Sequence, residues 1–231
     1  MQEGVRSTPR WRNVAGARRV GRPVVVPALI AVNVVVFALT VVAAGSLNRN
    51  DASALFQYGS LVPGLVTDGE WWRLITSGFL HFGPIHLLFN MFALFVIGRE
   101  VEGVLGRARL ITVYAVSLLG GSAAVMLFSS PASQTAGASG AVFGVMAALA
   151  VLALRLRVPA RQAFGLIALN IVISIVVPGI SLVGHLGGLV AGAATTAALV
   201  YTPARNGPGL QIAAVSGVVV VLLALIGVSV V

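Results

Sequence analysis

A backbone N–H or C=O carried into lipid must find its hydrogen bond within its own segment, because there is no water to supply one, so only helices or closed barrels can cross. Seven stretches of this chain, 24–44, 85–103, 109–129, 139–155, 162–178, 182–201 and 210–230, each approach the roughly 20 apolar residues that a spanning helix needs. Hydrophobic residues make up 58% of the sequence and charged residues only 9%, where a soluble domain carries about a quarter. The chain is read as an all-α, polytopic membrane protein.

The charges orient it. All fifteen basic residues are Arg, and an excess of this kind in a soluble chain would suggest nucleic acid. Here Arg6, Arg10, Arg12, Arg18, Arg19 and Arg22 precede the first span. Arg99, Arg107 and Arg109, then Arg155, Arg157 and Arg161, then Arg205 lie at alternate ends of the later ones. Only Arg49 and Arg73 fall on the opposite side. Positive charge collects on the inner face of membrane proteins, which puts the N-terminus inside and the C-terminus outside and accounts for the basic balance with no nucleic-acid partner. Residues 1–23, with Pro9 and Pro23 and no apolar periodicity, read as a disordered cytosolic basic tail. The absence of cysteine removes a thiolate nucleophile, disulfides and Cys-ligated metal.

One connection, 45–84, is too long for a turn, and loops of that length are usually functional or disordered. Leu55, Phe56, Tyr58, Leu61, Val62 and Leu65, followed by Glu70-Trp71-Trp72-Arg73, argue for order, as an amphipathic element at the outer interface. An aromatic anchor at headgroup depth is the plainer reading of the two tryptophans.

Polar side chains inside lipid are costly and mark function. The useful candidates are few: Ser139, His86, Asn90 and His185, with His81 and Asn170 beside them, while Asn170 and Asn33 read more plainly as helix packing contacts. By the topology above, Ser139 opens the fourth span, His185 lies one turn into the sixth, and His86 and Asn90 share one face of the second at i, i+4. All four therefore lie at one level near the outer surface. A serine at a helix start is ordinarily a cap, and His86 and Asn90 could simply bond across helices. Gly140 and Gly144 on the fourth span, and Gly184, Gly188 and Gly192 on the sixth, however, supply small-xxx-small grooves that bring those helices close. A serine hydroxyl becomes a nucleophile when a histidine takes its proton. No carboxylate lies in a helix at that depth, so a Ser139–His185 dyad is predicted, its imidazole held by packing or by a neutral partner. The Ser139 N–H and the side chains of His86 and Asn90 are the expected oxyanion donors. His81 is expected to make a structural loop contact, Arg73 to fix the external loop, and Gly98 and Gly106 to serve turns at the inner surface.

Gly137-Ala138-Ser139-Gly140, Gly184-His185-Leu186-Gly187-Gly188, His86 to Asn90 and Trp72-Arg73, in this order, resemble the rhomboid family of intramembrane serine proteases over about residues 24–201. The resemblance implies a six-helix core with an additional C-terminal seventh helix, the bacterial six-plus-one form. It divides the chain into a tail (1–23), a catalytic membrane domain (24–201) and a linker with the extra helix (202–231). It implies Ser139 as nucleophile and His185 as base, and Gly137, Gly140, Phe143 and Gly188 as support around them. Phe143 stands where a tyrosine often stacks on the catalytic histidine. Trp72-Arg73 matches the first external loop, and Gly98-Arg99 with Glu102 is similar to the turn after the second helix. The implied activity is endopeptidase cleavage in or near transmembrane segments of other membrane proteins, in a bacterial plasma membrane, with the bilayer as setting and with no metal or organic cofactor. Zinc and aspartyl protease chemistry lack their residues here: there is no His-Glu-x-x-His run and no Asp within a span. A catalytically silent protein that binds transmembrane helices is the rival from another class, and a small transporter is disfavoured by the lack of a charged relay.

Overall fold

The computed structural model describes residues 22–202 and 208–230. The basic tail, except its last two residues, and Arg205 lie outside them. Ten α-helices follow in order: α1 Val25–Ala44, α2 Ala54–Gly59, α3 Pro63–Thr67, α4 Arg73–Thr76, α5 Gly83–Leu105, α6 Arg107–Phe128, α7 Ser139–Leu156, α8 Arg161–Val176, α9 Leu182–Tyr201 and α10 Pro208–Val230. The seven long ones coincide with the seven apolar stretches. Five of them, α1, α6, α7, α9 and α10, are individually long and apolar enough to cross a bilayer. A sixth crossing arises if α5 and the segment Arg73–Phe79, bent by 91° at the break before it, are taken together. At 16 residues α8 is shorter, about 24 Å at 1.5 Å per residue against a hydrocarbon core of about 30 Å.

The centre of the bundle is α6, α7 and α9, and glycine sets their spacing. A side chain added at Gly188 would strike the Gly140 carbonyl, and one at Gly192 would strike the Gly144 backbone. On α6, a Cβ at Gly120 would overlap that of Ala191, and one at Gly121 would come within 2.9 Å of the Gly184 carbonyl oxygen. These three helices thus touch through main chain, which gains dispersion contacts and excludes lipid without needing a hydrophobic driving force. Around them, Leu94, Val101, Leu110, Val113, Val145 and Leu152 form the apolar core. The outer helices α1, α8 and α10 expose Val35, Leu39, Ile175, Val176, Val220 and Leu223, the apolar face that lipid would cover.

The sequence reading placed Gly98 in a turn. It lies instead inside α5, where a Cβ would come within 2.9 Å of Val26 Cγ2, so its smallness seats α1 against α5. Gly106 is the turn: with φ of +87° it forms the one-residue joint between α5 and α6, a conformation that costs glycine little.

Glu102, near the inner end of the second apolar stretch, is fully buried. Its Oε1 accepts from the N–H of Val24 (2.7 Å) and Val25 (3.0 Å), and its Oε2 from that of Val26 (3.0 Å). Three of the amides that a helix start leaves without partners are thus satisfied by one carboxylate from α5, whose charge also suits the positive end of the α1 dipole. Glu102→Gln leaves a single acceptor oxygen for those amides. It should lower stability by about 1–3 kcal/mol, read as an earlier thermal transition of the purified protein in detergent; an unchanged transition would remove Glu102 from this role.

Candidate active site

Segment 45–84 is folded, not draped over the surface as one amphipathic element. Arg73 is its hub. Buried to 3% exposure, its Nε donates to Glu70 Oε2 (2.6 Å) and its Nη1 to the carbonyls of Gln57 (2.7 Å) and Ser60 (2.6 Å). This is the planar multi-donor geometry that arginine alone offers. Trp72 stacks on Tyr58 at 4.9 Å and donates to the Tyr58 carbonyl, so the Trp72-Arg73 pair fixes the loop from both sides.

That region is fastened to the strand-like approach to Ser139. Leu61 and Thr135 exchange backbone hydrogen bonds of 2.9 and 2.8 Å, Gln134 donates to Ser60 Oγ at 2.8 Å, and the Gly137 N–H donates to the Ser77 carbonyl at 2.9 Å. Asn50 joins the end of α1 to the start of α5. Its amide donates to Thr40 Oγ1 and the His81 carbonyl, and its oxygen accepts from the Gly83 N–H. His81 Nε2 in turn accepts from the Ala138 N–H at 3.4 Å, which is the structural loop contact expected of it.

Ser139 is the first residue of α7, and the capping position is held by Ala138, with no side-chain capping bond. The hydroxyl is therefore not a cap. Among the described residues neither Ser139 Oγ nor the Ser139 N–H makes a hydrogen bond. The turn into it runs through Gly137 at φ +137°, where a Cβ would fall 2.7 Å from His86 Cε1, 2.9 Å from His86 Nε2 and 3.5 Å from Ser139 Oγ. Glycine is required there twice, by the backbone angle and by the space between the serine and the imidazole.

The orientation of His86 follows from its other nitrogen. Nδ1 accepts from the Phe82 N–H at 3.3 Å, so a neutral ring carries its proton on Nε2, the atom next to Gly137 and close to Ser139. Asn90 lies one turn deeper on the same face, buried, and uses one amide hydrogen to donate to the His86 carbonyl at 2.9 Å. Its second amide hydrogen is the one left for a ligand.

His185, 7% exposed, lies under the ring of Phe143, one turn along α7 from Ser139, stacked at 4.2 Å between centroids and 19° between planes. The glycine contacts of α7 and α9 flank it, since Gly140 and Gly188 meet one residue past Ser139 and three past His185. The structure thus brings Ser139, Gly137, Gly140, Phe143, His86, His185 and Gly188 to one place, with Asn90 a turn below His86. No hydrogen bond joins Ser139 to His185 among the described residues. Catalytic bonds are often long without substrate and tighten when it binds. A residue that the sequence did not single out completes the surroundings: Ser174 of α8, buried, has its Oγ 2.7 Å from His185 Nδ1.

A membrane helical bundle with an uncapped serine at the mouth of one helix and a stacked histidine on its neighbour defines a candidate hydrolytic site of the intramembrane kind. Comparison with known proteins agrees with that class. Residues 68–202, more than half of the chain, match the family model described as the Rhomboid domain, and the chain belongs to the rhomboid family. It is 36% identical over 184 residues to "Rhomboid protease GluP" of Bacillus subtilis, covering 78% of this chain and 35% of that protein. It is 34% identical over 132 residues to the "Putative rhomboid protease YdcA" of the same organism, covering 55% and 66%. To "Rhomboid protease AarA" of Providencia stuartii it is 28% identical over 203 residues, covering 76% and 72%. The chain spans about a third of the length of GluP.

Arg73→Lys keeps the charge and loses the fork. It should leave the two carbonyls of Gln57 and Ser60 partly unsatisfied and cost about 2 kcal/mol, seen as faster cleavage of segment 45–84 by an added soluble protease. Cleavage at the wild-type rate would show that the loop is held by its aromatic contacts instead.

Proposed function

We propose that this protein is an intramembrane serine endopeptidase that cuts peptide bonds in or near transmembrane segments of other membrane proteins. The observation that carries the reading is Ser139: a hydroxyl at a helix start that does not cap, beside a glycine turn, with one imidazole directed toward it and a second stacked over the next turn of its helix. Nothing in the fold requires a serine there.

In this reading Ser139 Oγ attacks the scissile carbonyl carbon while His185 takes the hydroxyl proton. The new C–O bond drives the carbonyl electrons onto oxygen, and that oxyanion is met by the Ser139 N–H, the Nε2–H of His86 and the free amide hydrogen of Asn90. Collapse of the tetrahedral species breaks the C–N bond, and the amine leaves with the proton from His185. Water then repeats the sequence on the acyl-enzyme. The first turn of α7 adds unpartnered N–H groups and the positive end of a helix dipole at the place where negative charge develops.

A substrate helix has to unwind to present its backbone, which favours small and helix-breaking residues near the cut. The arginine distribution supports an N-inside, C-outside orientation with seven crossings, and the likeness to the six-plus-one form favours a bacterial plasma membrane. Residues 24–201 are then the catalytic domain, between the tail at 1–23 and the linker and extra helix at 202–231.

The test is cleavage of single-span reporter proteins by the reconstituted protein. Wild type should cut. Ser139→Ala and His185→Ala should not, and His86→Ala or Asn90→Ala should lose about a hundredfold or more in kcat, the scale of a missing oxyanion donor. Undiminished cleavage by Ser139→Ala would end the proposal. Binding of reporters without cleavage or fluorophosphonate labelling would favour a non-catalytic helix-binding protein.

A further inference from the structure

α8 turns few residues inward. Most of its length is lipid-facing Phe164, Leu169, Val172, Ile173, Ile175 and Val176. Its buried residues are Ala163, Ile167 and Ser174, and Ser174 is the one polar side chain among those three. A hydroxyl is turned toward the bundle interior where the helix's pattern would put an aliphatic residue.

Its bonds explain the choice. Ser174 Oγ lies 2.7 Å from the Asn170 carbonyl oxygen, one turn back on α8, and 2.7 Å from His185 Nδ1 on α9. A hydroxyl has one proton to give and can accept besides, whereas a carbonyl oxygen can only accept. With the Ser174 proton directed to Asn170, the contact with His185 needs its proton from the imidazole, so Nδ1 carries hydrogen. A neutral imidazole has a single N–H, and Nε2 is then bare. This is the tautomer that a base facing Ser139 must have. Phe143 fixes the plane of the ring but cannot choose between its two tautomers. A hydrogen bond at the far nitrogen can.

We propose that Ser174 is a positioning residue for the general base: its oxygen accepts from His185 Nδ1–H, holds Nε2 unprotonated in the resting site, and stabilises the imidazolium once the proton of Ser139 has arrived. It fills the place that a buried carboxylate fills in a soluble triad, without bringing a second charge into the membrane. The proton account balances. The Ser139 proton moves to Nε2, the Nδ1–H stays on the ring and donates to Ser174 throughout, and the Ser174 proton stays with Asn170. The inference rests on the protease reading above and adds to it a third residue, from a third helix.

The experiment compares wild type, Ser174→Ala, Ser174→Thr and Ser139→Ala as full-length reconstituted protein, with rates normalised to the folded fraction from thermal unfolding. Ser174→Ala should lower kcat on a single-span reporter and the rate of fluorophosphonate labelling together, by about tenfold to a hundredfold, the scale on which loss of the hydrogen-bonded partner behind a metal-binding histidine acts. KM should not change. Ser174→Thr retains the oxygen and should restore the rate. With three histidines in the chain, 15N NMR can assign His185, which should carry its proton on Nδ1 in wild type and in Ser174→Thr and shift toward the other tautomer in Ser174→Ala. Wild-type kcat in Ser174→Ala beside an inactive Ser139→Ala would overturn the role of Ser174 and leave the protease reading standing. So would failure of Ser174→Thr to recover, or a wild-type His185 protonated on Nε2. Equal cleavage by all four proteins would overturn both.

Discussion

Main-chain contact between α7 and α9 is the constraint on which the rest depends. At Gly140 with Gly188 and at Gly144 with Gly192 the two helices meet backbone against backbone, and α6 closes on both through Gly120 and Gly121. In lipid there is little gain from burying one apolar side chain against another, because the tails are equally apolar; close packing of small residues supplies the attraction instead. The approach has a chemical result. Ser139 and His185 sit one and three residues from the closest contact, and a helix pair spaced by leucines would hold them several ångströms further apart.

Polar groups then locate what the glycines bring near. Glu102 gathers three amides at the start of α1, Asn50 ties the other end of α1 to the entry of α5, and Arg73 collects carbonyls of segment 45–84. Each is buried and hydrogen-bonded, which is the condition for a polar group in such a place to rigidify rather than destabilise. Through Leu61 with Thr135 and His81 with Ala138, that order is passed to the turn that carries Ser139. The histidines divide the work: His81 holds the loop, His86 directs a proton toward the serine, and His185 is clasped between Phe143 and Ser174.

Much of this was legible in the sequence because lipid penalises polarity so heavily that each exception stands out. Ser139, His86, Asn90 and His185 were found as exceptions, and their common depth followed from counting helices and arginines. Gly184, Gly188 and Gly192 were visible through their spacing. Other parts were hidden for identifiable reasons. Glu102 sits at a helix end, where an acid normally reads as solvated, and nothing local reveals that another helix begins above it. Gly98 stood near an expected turn, while its purpose is the approach of Val26. Segment 45–84 has no long period, so three short helices pinned by one arginine read as one interfacial element. Ser174 gave no signal. A lone serine inside an apolar helix usually bonds back to its own carbonyls, as this one does, and its second partner lies on another helix.

Bilayers differ in thickness by several ångströms, and helices answer by tilting. A pair of helices interlocked by side chains can slide as it tilts, since rotamers give way. At Gly140 with Gly188 and at Gly144 with Gly192, α7 and α9 meet through Cα atoms and carbonyls in place of rotamers, and Phe143 stacks on His185 beside that contact, so the two helices lean together and carry Ser139 and His185 with them. The loosely packed α8 is free to lean separately. What a thinner or thicker membrane can alter in this protein is therefore less the distance between Ser139 and His185 than the reach of Ser174 to the His185 ring.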